Sequence, residues 1–172
     1  LTFTTGNWST PQTVTVTGVN DSVDDDNISY QITLGAATST DTSYSGLTPT
    51  PVSVLNTDND TFGVTVSAIS GNTTEAGGTA TFTVVLNSQP TASVSIGVTS
   101  SDTTEGTVSP ASLTFTTGNW SAPQTVTVTG ADDVLVDGTI AYQITLGTAS
   151  STDTNYNGFV PNSVSVSTTD ND

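Results

Sequence analysis

The stretch LTFTTGNWSAPQTVTVTG at residues 113–130 decides how the chain is read, because LTFTTGNWSTPQTVTVTG already stands at residues 1–18. Both copies alternate apolar side chains with Thr on either side of a Gly-Asn-Trp turn. Period-two alternation is the mark of a strand with one buried and one wet face. Working outward, the offset of 112 residues never slips: Tyr30 maps to Tyr142, Asp58 to Asp170 and Asp60 to Asp172, and 41 of 60 paired positions are identical. Copies so alike share one fold. A 112-residue unit suits one β-sandwich and is too long for a solenoid rung or a propeller blade. Residues 61–172 are therefore read as one complete module. Residues 1–60 are read as the C-terminal part of a preceding module, lacking its first 52 positions, so the chain is expected to be a piece of a longer protein.

Composition agrees with a β fold. Of 172 residues, 39 are Thr and 22 are Ser, and the apolar residues are mostly Val, Ile, Phe and Tyr rather than strong helix formers. In the complete module the alternation predicts seven strands, at 62–68, 79–86, 92–99, 112–116, 124–129, 140–146 and 163–167. It turns inward such residues as Phe82, Ile96, Phe115, Val126, Tyr142 and Val166, and no segment reads as a helix. Clusters of Gly, Asn, Asp and Pro separate the strands at the spacing of an antiparallel sandwich.

The chain has 14 Asp, 2 Glu and no Lys, Arg, His, Cys or Met, for a net charge of −16. Without Cys or His there is no zinc finger, haem ligation, disulfide framework or nucleophile–histidine relay. Without Lys or Arg nothing can displace counterions from phosphate, so nucleic acid and anionic membranes are excluded as partners. No apolar run approaches the roughly 20 residues of a membrane span. Only oxygen remains as a metal ligand.

The acids avoid the strands and collect in loops: Glu75 after the first predicted strand, Asp102 after the third, Asp132, Asp133 and Asp137 after the fifth, and Asp170 and Asp172 after the last. Alternate strands run in opposite directions, so all of these loops emerge at one pole of a sandwich. Two carboxylates about 5 Å apart repel by roughly 1 kcal/mol in water and about 3 kcal/mol at an effective dielectric near 20. Several such pairs rival a domain stability of about 5–15 kcal/mol. With no internal cation, either the groups stay apart in water or a bound ion joins them, and irregular oxygen-rich loops suit Ca²⁺ better than Mg²⁺. Glycoside hydrolysis also needs only two carboxylates, but these acids lie in open, crowded loops with no pocket-forming insertion, and no catalytic residue is read.

The acid in TTEAGG, the Asp in SSDTTEG, the aromatic turn of LTFTTGNW, the acidic pair in TGADDVLVDG and the terminal TDND, taken in that order, resemble a Calx-beta domain. The resemblance spans the complete module and the matching part of the first copy. It implies an immunoglobulin-like antiparallel β-sandwich, repeated in tandem, that binds calcium at one pole. It implies ligand roles for Glu75, Asp102, Asp132, Asp133, Asp137, Asp170 and Asp172, and in the first copy for Asp21, Asp25, Asp58 and Asp60. The chain departs from the pattern at Val134 and Ile140, at Asn59 and Asn171 within the terminal triplets, and at Asn20 in the acidic pair.

These readings point to a structural repeat of an extracellular, calcium-stiffened stalk, adhesin or fibre, whose partners are neighbouring repeats of the same chain or fibre. TDND runs straight into the next strand, leaving almost no spacer. One alternative is an adhesion module in which Trp120 and the Asn-rich NYNG loop at 155–158 contact surface glycans, Trp8 and Trp120 offering aromatic faces to a sugar ring. Another is the protomer of an extracellular filament completed by strand exchange.

Overall fold

The computed structural model describes residues 1–172. They divide into two compact units, Leu1–Asp21 with Asp26–Asp58, and Ser22–Asp25 with Asn59–Asp172.

The smaller unit holds one hairpin, β1 (Ile28–Ile32) against β2 (Val52–Asn56), antiparallel, with Tyr30 opposite Val54. The larger unit holds β3 (Val64–Val66), β4 (Thr73–Thr74), β5 (Thr79–Leu86), β6 (Val94–Ser100), β7 (Gly106–Ser109), β8 (Ser112–Phe115), β9 (Gln124–Gly130), β10 (Ile140–Leu146) and β11 (Val164–Thr169). They form two sheets, ordered β4-β11-β10-β6-β8 and β3-β5-β9-β7. Every pairing is antiparallel except that of β4 with β11.

The chain is thus an all-β protein, and the larger unit is a β-sandwich. Strict alternation in β5, β6, β9 and β10 buries Phe82, Val84, Ile96, Val98, Val126, Val128, Ile144 and Leu146 in one core shared by both sheets. Thr and Ser face outward because a hydroxyl keeps its hydrogen bonds in water while a β-branched carbon skeleton still fits the pleat.

Two strands escape the period-two reading. β4 has two residues, both Thr, and β7, GTVS, has a single apolar side chain in Val108, so neither shows an alternation. β4 exists because Gly130 closes β9: a Cβ there would overlap the Thr74 carbonyl. β4 is also clamped from inside. The Thr73 hydroxyl lies 2.8 Å from that of Thr168 and 3.2 Å from the Tyr142 hydroxyl, and Thr168 Oγ1 donates to the Glu105 carbonyl at 2.8 Å. This buried hydroxyl chain ties together the segments that carry both glutamates.

The two copies show what context does to one sequence. Phe115 is fully buried, whereas its counterpart Phe3 is 55% exposed; Leu1, Val14 and Val16 are likewise exposed where Leu113, Val126 and Val128 are buried. In the larger unit β8 pairs with β6, and β9 with β5 and β7. Residues 1–60 contain no counterpart of β5, β6 or β7, so residues 1–18 form no strand. Each of those four side chains forgoes about 1.5–3 kcal/mol of burial, a sum comparable to the stability of a whole domain. The counterparts of β10 and β11 pair with each other, and there the register is kept: Tyr30 faces Val54 as Tyr142 faces Val166.

Gly130→Ala should cost about 1–3 kcal/mol by overpacking, lowering the melting temperature by roughly 5–15 °C. Amide exchange should show β4 released before β5 and β9. Unchanged melting would mean that β4 does not need the glycine.

Candidate metal centre

The strand directions bring the end of β6, the start of β7, the end of β9, the start of β10 and the end of β11 to one pole. The acids there form two triads. Glu75, Asp170 and Asp172 each offer a carboxylate oxygen within 4.8 Å of the others, and Glu105, Asp133 and Asp137 do the same.

Glu75 follows β4 and is buried. Its N–H donates to the Thr169 carbonyl at 3.1 Å, and its Oε2 accepts the Asn171 N–H at 3.2 Å. Burial pushes the Glu75 carboxyl up, the Asn171 N–H pulls it partly back, and the charges of Asp170, Asp133 and Asp137 push it up again. Asp170 is held low by N–H groups of Asp172 and Gly138 that donate to its two oxygens, both at 2.8 Å.

Glu105 is 5% exposed, and its Oε2 is a buried polar atom without a hydrogen-bond partner. Burial pushes this carboxyl up, and Asp137, Asp102, Asp133 and Asp170 add to the rise. A buried carboxylate with one oxygen bonded to nothing, close to two more carboxylates, is costly as an anion. Either a proton or a cation relieves it. Asp133, by contrast, accepts the Leu135 N–H at 2.7 Å.

The remaining expected ligands lie elsewhere. Asp102 turns its carboxylate to the hydroxyl and N–H of Thr104, which hold it low, and its charge reaches Glu105 without joining a triad. Asp132 is exposed and outside both triads. Of the first-copy residues, Asp21 and Asp58 fall in the smaller unit and Asp25 and Asp60 in the larger, and none belongs to a triad. Asp58 Oδ2 accepts the Asp26 N–H at 2.9 Å, matching the bond from Gly138 to Asp170. Asp26 reaches this geometry at φ 65°, where Gly138 stands in the second copy at φ 78°.

Glu105 is absent from the expected set although it sits in the quoted SSDTTEG. The signal for it was position: it immediately precedes β7, the strand that alternation does not reveal. Trp120, a candidate sugar platform, instead packs against the core, and its carbonyl accepts the Leu86 N–H at 3.2 Å. Asp153 is a buried turn former. Burial opposes its ionisation, but N–H groups of Thr91 at 2.7 Å and Asn155 at 2.9 Å outweigh that and hold it low.

No protein-family model matches the chain, and no curated protein matches it. Among solved structures, it is similar to SSP-19, an MSP-domain protein like family member in Caenorhabditis elegans, at 11% identity and TM-score 0.40, over 62% of this chain and all of that one. It is also similar to domains 4 and 5 of the S-layer protein SbsC, at 19% identity and TM-score 0.35, over 70% of this chain and 58% of that one. The functional reading rests on the chain's own residues.

The pH dependence has a definite sign. Glu75 and Glu105 hold protons more tightly folded than unfolded, so metal-free stability falls as pH rises from the ordinary glutamate range through their raised values, and is recovered as pH falls back. Asp102, Asp153 and Asp170 act oppositely, and their contribution is lost only in stronger acid, as pH falls through their lowered values. Glu105→Gln should raise the metal-free melting temperature at pH 7 and flatten its rise on mild acidification. Lower stability of Glu105→Gln in chelator would show that the glutamate is satisfied without metal.

Proposed function

We propose that the chain is a structural, non-catalytic segment of an extracellular tandem array of Calx-beta-like sandwiches, stiffened by calcium. The observation that carries the reading is the unpartnered, buried Oε2 of Glu105, set among carboxylates in a chain with no cationic side chain. Glu105, Asp133 and Asp137 would hold one ion, and Glu75, Asp170 and Asp172 a second. When bound, calcium supplies positive charge and several oxygen coordination positions and no redox or acid–base chemistry.

The protein's part is mechanical. Each triad draws on segments far apart in sequence: β4's end with β11's end, and β7's start with the β9–β10 loop. An ion bridging such segments binds the folded state and not the unfolded one. At tenfold above its dissociation constant it stabilises by about 1.4 kcal/mol per site. Extracellular calcium sites of roughly 0.1–1 mM affinity fit half-buried triads of this kind. The terminal Asp-Asn-Asp supplies Asp170 and Asp172 to the pole. An ion there fixes the end of the module and so resists bending where the chain passes to a neighbouring repeat.

Millimolar calcium should raise the melting temperature by about 10 °C over chelator. Glu105→Gln should remove roughly half of that gain, while Asp41→Asn, at an exposed turn, should leave it intact. Equal melting in calcium and chelator would remove the ion from this account.

A further inference from the structure

The loop between β9 and β10 carries a feature that metal binding does not explain. Val134, Leu135 and Val136 are 85, 61 and 81% exposed in consecutive positions, between Asp133 and Asp137. Bare aliphatic side chains at a loop tip mark a contact surface more often than a solvated turn.

The internal repeat shows what covers such a tip. At the offset of 112 its counterparts are Ser22, Val23 and Asp24, and all three are half-buried, because Ser22–Asp25 packs into the larger unit. Its seat lies at the pole opposite the acids, beside the start of β3 and the β5–β6 and β10–β11 loops. There the Gln89 N–H donates to the Ser22 carbonyl at 2.6 Å, and the Asn155 side-chain amide donates to the Asp24 carbonyl at 2.8 Å. The Phe62 N–H donates to the Asp24 carboxylate at 2.8 Å. The seat is rigidly built: buried Asp153 accepts the Asn155 N–H, and Phe62 meets Tyr156 and Phe159 edge-on at 6.1 and 6.2 Å.

We propose that residues 134–136 dock in the same manner onto the Phe62, Gln89 and Asn155 seat of a second copy of this module. Two of the three bonds carry over unchanged, because their acceptors are main-chain carbonyls, here those of Val134 and Val136. The third is lost where Val136 replaces Asp24, and three aliphatic side chains against the half-exposed rings of Phe62 and Phe159 take its place. This chain's own seat already holds Ser22–Asp25, so the tip addresses the seat of another copy. Residues 1–60 offer none: Ser43 stands in place of Asn155, and Phe62 and Gln89 have no counterpart there. Tip and seat lie at opposite poles, so the contact is heterologous and propagates into a linear array rather than closing on itself.

The inference rests on the tandem reading but not on calcium, and the test separates the two. A second copy of residues 61–172 is joined after Asp172, repeating the junction sequence TDNDTF of residues 57–62. Amide hydrogen exchange and small-angle scattering are measured against the 172-residue chain, in calcium and in chelator. The amides of Leu135 and Val136 in the first complete module should exchange at least about tenfold more slowly in the extended chain. Asn155→Ala in the appended copy should restore fast exchange, and Leu135→Ser should do so at Val136 without touching the seat. Fast exchange at 134–136 in the extended chain overturns the docking, whether or not scattering shows a straight rod. Slow exchange in both calcium and chelator supports the docking, whatever the melting temperatures show of the ion.

Discussion

Sixteen carboxylates share a chain that has no cationic side chain, so each ionised group must be answered by an N–H, a hydroxyl, water or an ion from solution. The aspartates solve this locally. Asp41, Asp102, Asp133, Asp153 and Asp170 each accept the N–H of the residue two positions on, at 2.7–3.0 Å. A short side chain can bend back on its own backbone in this way. Glutamate, one methylene longer, does not make that turn here. Both glutamates are buried at the acidic pole, one with a single N–H partner on Oε2 and one with a bare Oε2. The candidate ion sites are therefore where local hydrogen bonding runs out, and not merely where negative charge is dense.

The repeat is an internal control on what local sequence can enforce. The TTGNW turn is built identically in both copies: Asn7 and Asn119 accept from Thr4 and Thr116, and Gly6 and Gly118 donate to the same threonine hydroxyls. The hairpin loops repeat as well, with Ala37 and Gly46 bonded as Ala149 and Gly158 are. The strands on either side of the turn do not repeat. Turns need only neighbours in sequence, while strands need partners far away, and residues 1–18 have none of theirs in this chain. Propensity for strand is thus realised only through pairing and burial.

That division accounts for what was legible in the sequence. Long alternating runs such as 79–86 and 140–146 coincide with β5 and β10 because seven or eight residues carry several periods. Strand parity placed the acidic loops at one pole, since direction survives small errors in strand ends. β4 and β7 were hidden because their reasons are tertiary: a glycine that admits a backbone and a buried hydroxyl chain that fastens it. With β7 hidden, Glu105 read as part of a loop rather than as a buried carboxylate at the mouth of a strand. Tyr156, buried from a loop and bonded to Ser88 at 2.7 Å, carried no periodicity by which to be seen.

The placement of charge also limits how modules can influence one another. The eight residues of β5 span about 26 Å, whereas charges in physiological salt are screened over about 8 Å. One acidic pole is therefore electrostatically isolated from the opposite end of its own module, and each pole settles its charge alone. An ion bound at that pole would then add stability to its own sandwich alone, as in repeat proteins where neighbours couple only through direct contact. The short edge strands β3, β4, β7 and β8, two to four residues each, offer little template for sideways pairing. Coupling between adjoining copies in the proposed array would then pass through the poles, where apolar and main-chain contacts act at a range that salt does not screen.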